Sequence, residues 1–239
     1  GSSKKLPLGI YTVKEVQAPA NYGLNPTVFT ADIEFAGQVV KLNVTDPVIT
    51  AGVSIKKTGY AQTMNNNIMR WTVSGVRNDS TTSLQSFYWR DTLPTDAVRL
   101  TRLVTGTYST TQTYKVTFTT NLNSQWRTAY DNLSTAKNYT LDMSSAALGL
   151  ASNEYVTQFM LSFGIVPAGF HQLTNATVDA QTLYALTNGY KFTNKADVGG
   201  LLGGNWVQSI ARWTTSIYSH YVPAKPAAPK SPTLPRTGY

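Results

Sequence analysis

The chain contains no cysteine and only two histidines, and its 12 Asp and Glu are outnumbered by 20 Lys and Arg across 239 residues. Without cysteine it can form no disulfide, thiolate metal site or thioester. His171 and His220 are far apart in sequence and have no carboxylates clustered around them, so neither a metal centre nor a Ser-His triad is expected. The few acidic residues fall mostly at expected strand ends and turns, whereas a glycosidase needs two suitably spaced carboxylates in a cleft. No enzyme, metal or cofactor is expected. No segment is apolar for long enough to span a membrane, and none has the pattern of a signal peptide. The glycines within residues 199–204 lack the lysine of a phosphate-binding loop and read as a flexible turn.

What is present favours strands. Hydrophobic residues make up 41% and charged residues only 13%, with many Thr, Ser, Val and Tyr. That balance predicts an all-β protein, and the length suffices for one large or two modest domains, each with its own core. The net charge of +8 is spread along the chain and gathered into no helix or loop. A solvated, generally basic surface is expected from this distribution, and no nucleic-acid partner.

Strand alternation singles out three polar residues. Phe87, Trp89 and Asp91 share one face of a predicted strand, with Tyr88 and Arg90 on the other. Val53, Ile55 and Lys57 share a face of a second strand while Lys56 points to water; a one-residue slip would reverse the two lysines. On a third strand, Tyr190 and Phe192 share their face with Asn194. Each apolar face thus ends in one polar group, either because the face reaches solvent there or because the three groups meet. An ionised Asp among aromatic rings would cost several kcal/mol, so it should meet a cation or stay protonated.

The segments around Lys57-Thr58-Gly59, Trp89-Arg90-Asp91-Thr92-Leu93-Pro94 and Phe192-Thr193-Asn194-Lys195-Ala196 resemble, in that order, the lysine, catalytic-acid and asparagine strands of CnaA-type domains. These are immunoglobulin-like modules of Gram-positive pilins and surface adhesins. The resemblance covers about 170 residues and implies a β-sandwich with an intramolecular isopeptide bond from Lys57 to Asn194, assisted by Asp91. The chemistry agrees with those roles: burial lowers a lysine pKa towards a neutral nucleophile and raises an Asp pKa towards a neutral proton donor.

Residues 1–49 carry a second resemblance. A Pro-Gly turn, a strand with Tyr11, Val13 and Glu15 on one face and a proline-broken loop resemble the E-box strand of CnaB-type domains. Two more strands are predicted, at 28–35 and 39–46; in the latter Val40, Leu42 and Val44 share a face with Asp46. The resemblance implies Glu15 as catalytic acid and Asp46 as acceptor; Asp46 also reads simply as a strand-ending Asp before Pro47. Lys4 and Lys5 precede the E-box turn, the wrong place for the nucleophile. The segment is therefore expected to be the C-terminal part of a CnaB-like domain without its lysine strand, forming no bond by itself.

A short linker at 47–52 leads directly into the Lys57 strand, which suggests two domains stacked end to end. Further along, residues 69–76 form a predicted strand, 98–107 and 112–119 a predicted hairpin, and 124–133 a predicted helix, with Trp126, Tyr130 and Leu133 at helical spacing. Strands are expected at 155–163, 177–186 and 206–218. Trp71, Trp89, Trp206 and Trp213 fit either core packing or a carbohydrate-stacking platform.

From Val222 the composition changes: Pro223, Pro226, Pro229, Pro232 and Pro235 recur every third residue, the period of an extended polyproline II helix. This spacer ends in Leu234, Pro235, Arg236, Thr237 and Gly238, which match the LPxTG sorting signal. By that resemblance a sortase would cleave after Thr237 and join it to an amine of a wall precursor or of another pilin. The family pattern continues with a hydrophobic anchor helix, which would supply the only membrane contact. Lys225 and Lys230 either accept another subunit or keep the spacer soluble. The expected organisation is a CnaB-like part (1–49), a CnaA-like domain (50–220) and a Pro-rich tail (221–239). It implies an extracellular, wall-anchored pilin subunit of basal or minor type, with sortase, peptidoglycan or other pilins as partners and an unspecified surface ligand. The alternative is a stalk fragment of a large adhesin.

Overall fold

The computed structural model describes residues 3–19, 22–59, 62–63 and 68–218. The Pro-rich tail, the sorting signal at 234–238, Lys225, Lys230 and His220 lie outside them. Alternating β-branched, aromatic and polar residues form strands throughout, and no helix occurs among the described residues.

The N-terminal part is a two-stranded antiparallel hairpin, β1 (Gly9–Lys14) with β2 (Val28–Ile33). The third predicted strand, 39–46, has no sheet partner among the described residues; Val39 and Val44 lie exposed, and the isolated Tyr22–Val48 bridge ends the segment. The alternation is present, but a strand needs a neighbouring edge to form a ladder. The following junction is hydrogen-bonded. Thr50 and Thr81 exchange bonds of 3.0 Å, the Gly52 amide donates to Ser80 Oγ at 3.0 Å, and the Asp79 amide donates to the Gly52 carbonyl at 2.9 Å. Asn78 holds that turn by donating to the carbonyls of Thr82 and Pro167.

The rest is an immunoglobulin-like sandwich. Its strands are β3 (Val53–Gly59), β4 (Gln62–Thr63), β5 (Ile68–Asn78), β6 (Leu84–Thr92), β7 (Val98–Val104), β8 (Thr107–Tyr108), β9 (Thr113–Thr120), β10 (Arg127–Ser134), β11 (Thr140–Asp142), β12 (Val156–Val166), β13 (Gln172–Thr174), β14 (Ala176–Thr182), β15 (Lys191–Leu202) and β16 (Asn205–Tyr218). One sheet has the order β10-β9-β12-β6-β15-β16-β4 and the facing sheet β11-β7-β14-β5-β3. Pairing is antiparallel except between β16 and β4. Between the sheets lie Met69, Trp71, Phe87, Trp89, Phe159 and Phe170, all fully buried. The Trp89 indole donates to Tyr108 Oη at 2.8 Å, and Tyr108 donates to the Thr105 carbonyl, so the polar tips of both rings are satisfied in the core. On the outer surface of the five-stranded sheet, Asp179 accepts from Arg70 Nε at 2.6 Å and Arg102 Nε at 2.7 Å.

Four sequence expectations change here. Residues 124–133 are not a helix but contribute β10, whose register against β9 shifts between Thr128 and Tyr130 and again between Tyr130 and Leu133. These bulges stretch the two-residue alternation into a spacing that imitates a helical one. The strands predicted as a hairpin at 98–107 and 112–119 belong to opposite sheets. Their connection crosses the sandwich edge, pinned by Tyr108 in the core and by the β8–β13 pair. Gly199 and Gly200 are not a turn but lie within β15; only Gly203 and Gly204, with φ of 56° and 85°, make the reversal. Trp71 and Trp89 are buried, which removes them from any stacking platform.

Candidate functional site

Lys57, Asp91 and Asn194 come together at one corner of the sandwich. β3, the edge strand of the five-stranded sheet, packs against β15 and β16 of the facing sheet. The observed register points Lys57 inward, with 6% of its surface exposed, and leaves Lys56 in solvent. The slipped alternative is thereby removed. On the facing sheet Asp91 pairs with Ala196, two residues along β15 from Asn194, so Asp91 and Asn194 are diagonal neighbours on the inner face. Both are fully buried.

The Lys57 ammonium donates to Asp91 Oδ2. Asp91 Oδ1 and both polar atoms of the Asn194 carboxamide lack a hydrogen bond of good geometry, although Asn194 lies close enough to Asp91 to favour its ionised form. A buried carboxamide without partners is costly in a folded core. Around these groups stands an aromatic wall: the Lys57 Nζ lies 5.8 Å from the Trp71 ring centroid, Trp71 meets Phe192 edge-on at 6.3 Å, and Trp213 faces Asn194 across the β15–β16 ladder. Gly59 makes room for this wall, since a Cβ there would sit 2.7 Å from both Trp71 and Trp213. The sequence drew attention to the three polar residues; the wall of Trp71 and Trp213 and the need for Gly59 emerge only from the packing.

Burial dominates the electrostatics. Loss of solvent pushes the Lys57 pKa down, against the pull of the Asp91 charge. The same loss of solvent pushes the Asp91 carboxyl up, against the Lys57 ammonium and the Asn194 amide. Both shifts favour one proton moved from amine to carboxyl, giving a neutral amine beside a neutral acid and a carboxamide.

The second pair predicted from sequence also meets, less deeply. Asp46 is half-buried, and its carboxyl is raised by lost solvent and by the charge of, and a hydrogen bond with, Glu15. Glu15 accepts from the Asn25 amide at 2.6 Å, and the Asn25 side chain donates to the Thr45 carbonyl at 2.9 Å, which ties the two segments together. Lys4 and Lys5 are solvent-exposed, as expected of residues outside the site.

No curated protein sequence matches the chain. Among solved structures, the D312A form of BcpA, the major pilin subunit of Bacillus cereus, is 12% identical with a TM-score of 0.36, covering 90% of this chain and 56% of that one. The full-length major pilin SpaD of Corynebacterium diphtheriae is 15% identical with a TM-score of 0.34, covering 87% and 47%. The collagen-binding subdomain of the Enterococcus faecalis surface protein ACE is 12% identical with a TM-score of 0.31, covering 69% and 95%. The chain thus spans about half the length of the two pilins. Residues 1–48, the segment that carries the E-box resemblance, match the family model of the SpaA prealbumin-like fold domain.

Proposed function

We propose that the chain is a wall-anchored surface subunit of a Gram-positive bacterium, a basal or minor pilin, whose sandwich is closed by a self-made isopeptide bond. The observation that carries the reading is the meeting of Lys57, Asp91 and Asn194 in one buried, aromatic-walled site. The match of residues 1–48 to the prealbumin-like domain, and the LPxTG sequence at 234–238 after a Pro-rich spacer, support the surface setting.

The neutral Lys57 amine attacks the Asn194 carboxamide carbon. Asp91, as the neutral acid, donates a hydrogen bond to the carboxamide oxygen and so draws charge from that carbon. It then passes the amine proton to the departing nitrogen. The new bond is Lys57 Nζ to Asn194 Cγ, the broken bond is the Asn194 C–N bond, and one ammonia leaves. The fold supplies the rate by holding nucleophile and carbonyl together in a dry site, an effective-molarity effect exercised once per molecule. The reaction has no turnover, so the chain is not an enzyme. Residues 1–49, 50–220 and 221–239 act as a partial CnaB-like domain, a CnaA-like domain and an extended tail. Thr237 is the residue a sortase joins to a wall or pilin amine.

Intact mass with peptide mapping tests the central step. A protein lighter by one ammonia, containing a Lys57–Asn194 linked peptide that is lost in Asp91→Ala, is the expected result. A full-mass wild type with separate peptides would falsify it. Incubation with an LPxTG-specific sortase and a peptidoglycan-like amine should independently cut the chain after Thr237.

A further inference from the structure

The outer face of the seven-stranded sheet carries an open groove of about 710 Å³, reaching from Asp131 on β10 across β9, β12 and β6 to Trp206 and Gln208 on β16. Its volume lies in the range of small-ligand sites. At one end Trp206 is 54% exposed, and its ring is met edge-on by Tyr88 at 5.9 Å. Below it, polar groups are held in fixed positions. Gln208 Nε2 donates to Tyr88 Oη at 3.0 Å, Tyr88 donates to Asp197 at 3.1 Å, and Arg90 makes a two-pronged pair with Asp197 through Nε and Nη2 at 3.1 and 2.9 Å. None of these bonds uses Gln208 Oε1 or Arg90 Nη1, and both residues line the groove.

Two backbone features single out the same place. Gly199 lies in the interior of β15, where glycine weakens a strand, and its φ is not one that requires glycine. A Cβ there would sit 3.0 Å from Tyr88 Oη and 3.1 Å from Gln208 Cγ, so the missing side chain is what lets Tyr88 and Gln208 meet across β15. Moreover, the two non-glycine residues with positive φ among the described residues, Ser86 at 50° and Asn132 at 55°, fall in this groove and beside its Asp131 wall. Such conformations persist where the surroundings hold them, and they concentrate at ligand sites.

The chemistry of the lining selects the ligand class. Arg90 and Lys115 are balanced by Asp131 and by Asp197 beneath them, so the groove offers no excess of charge to a polyanion despite the basic chain. β9, β12, β6 and β15, the strands between the groove's two rims, are each paired on both sides, so an added peptide strand could join only at the rims, along β10 or β16, and not across the floor. An exposed indole face beside planar amide, guanidinium and hydroxyl groups is suited to the apolar face and equatorial hydroxyls of a sugar ring.

We propose that this groove binds a neutral oligosaccharide, with one ring stacked on Trp206 and its hydroxyls bonded by Gln208, Arg90 and Ser162. The site does not depend on the Lys57–Asn194 bond. The test is an array of neutral hexose and N-acetylhexosamine oligosaccharides printed beside sulfated and sialylated ones, followed by fluorescence titration of the full chain with each free neutral sugar retained. At least one neutral sugar should bind saturably, and Trp206→Ala should weaken it by about tenfold, the loss expected of one stacking contact. Gly199→Ala should also weaken it, with the intact mass of both variants equal to wild type apart from the substitution. Retention of no neutral sugar, retention of charged ones alone, or neutral binding unchanged in Trp206→Ala would overturn the assignment.

Discussion

In the β1–β2 hairpin Ile10, Val13 and Val28 are exposed and Ala31 alone is buried among its apolar side chains, whereas in the sandwich the inner residues of β5, β6, β12 and β15 are almost wholly withdrawn from water. Both parts alternate apolar and polar residues, and both bring an acidic residue to a second functional group: Asp46 to Glu15, Asp91 to Lys57 and Asn194. Only the second pairing lies in a closed core. Burial moves Lys57 and Asp91 together towards the neutral state that amide exchange requires; at Asp46 it raises one carboxyl beside another. The same alternation in sequence therefore yields opposite shifts on an amine and an acid only where a second sheet covers it.

The comparison can be broken most strongly at the proposed cross-link. Lys57→Met and Asn194→Ala should each show the full mass calculated from its own sequence, with no ammonia lost, and lose about 5 kcal/mol in denaturant unfolding, the scale on which a covalent tie across more than a hundred residues acts on the unfolded chain. Equal stability of variants and wild type would refute the structural role. Next in size, Gly59→Ala should drive a Cβ into Trp71 and Trp213 and cost about 2 kcal/mol, with slower or incomplete cross-linking by mass.

Asp179→Asn tests an ion pair on the sandwich's outer face. Burial alone would raise this carboxyl, but hydrogen bonds and charge from Arg70 and Arg102 outweigh it and hold the pKa below 3.8. A depressed folded value contributes stability that is present above about 3.8 and is lost as pH falls through the lower value. The substitution should cost about 1 kcal/mol at neutral pH, because both arginines are nearly half exposed, and nothing in strong acid. Urea midpoints across pH would show whether the two curves converge.

Smallest is Asp46→Asn. The raised carboxyl opposes folding at neutral pH, and the opposition disappears as pH falls through its folded pKa. The variant should slow hydrogen exchange of β1 and β2 amides at neutral pH and leave it unchanged in acid; faster exchange at neutral pH would mean that Asp46 makes a favourable contact instead.

The corner where Lys57, Asp91 and Asn194 meet was legible because a period of two fixes which side chains share a face: each of the three ends an apolar row, and the inner faces must meet. The outcome at β10 was hidden for the converse reason, since its two bulges suspend that period. Sequence neighbourhood suggested that β7 and β9 pair, although Tyr108 anchors their connection in the core and sends them to opposite sheets. Gly199 read as a turn because its role is to leave a space between two strands on either side, a relation absent from the order of residues. Alternation put Tyr88 and Arg90 on the face opposite Phe87 and Trp89, and Trp206 stood out as a stacking candidate, but nothing in the order of residues brought Trp206 and Tyr88 together.

The long ladder of β15 with β16 has a mechanical meaning. β16 runs parallel to β4, just past β3, so the two ends of the sandwich point in opposite directions along its axis. With the proposed bond in place, a pull on those ends would pass from Lys57 straight to Asn194 and leave residues 58–193 slack. The load would then reach β16 as shear along its hydrogen bonds to β15, straining many of them together rather than unzipping them one at a time.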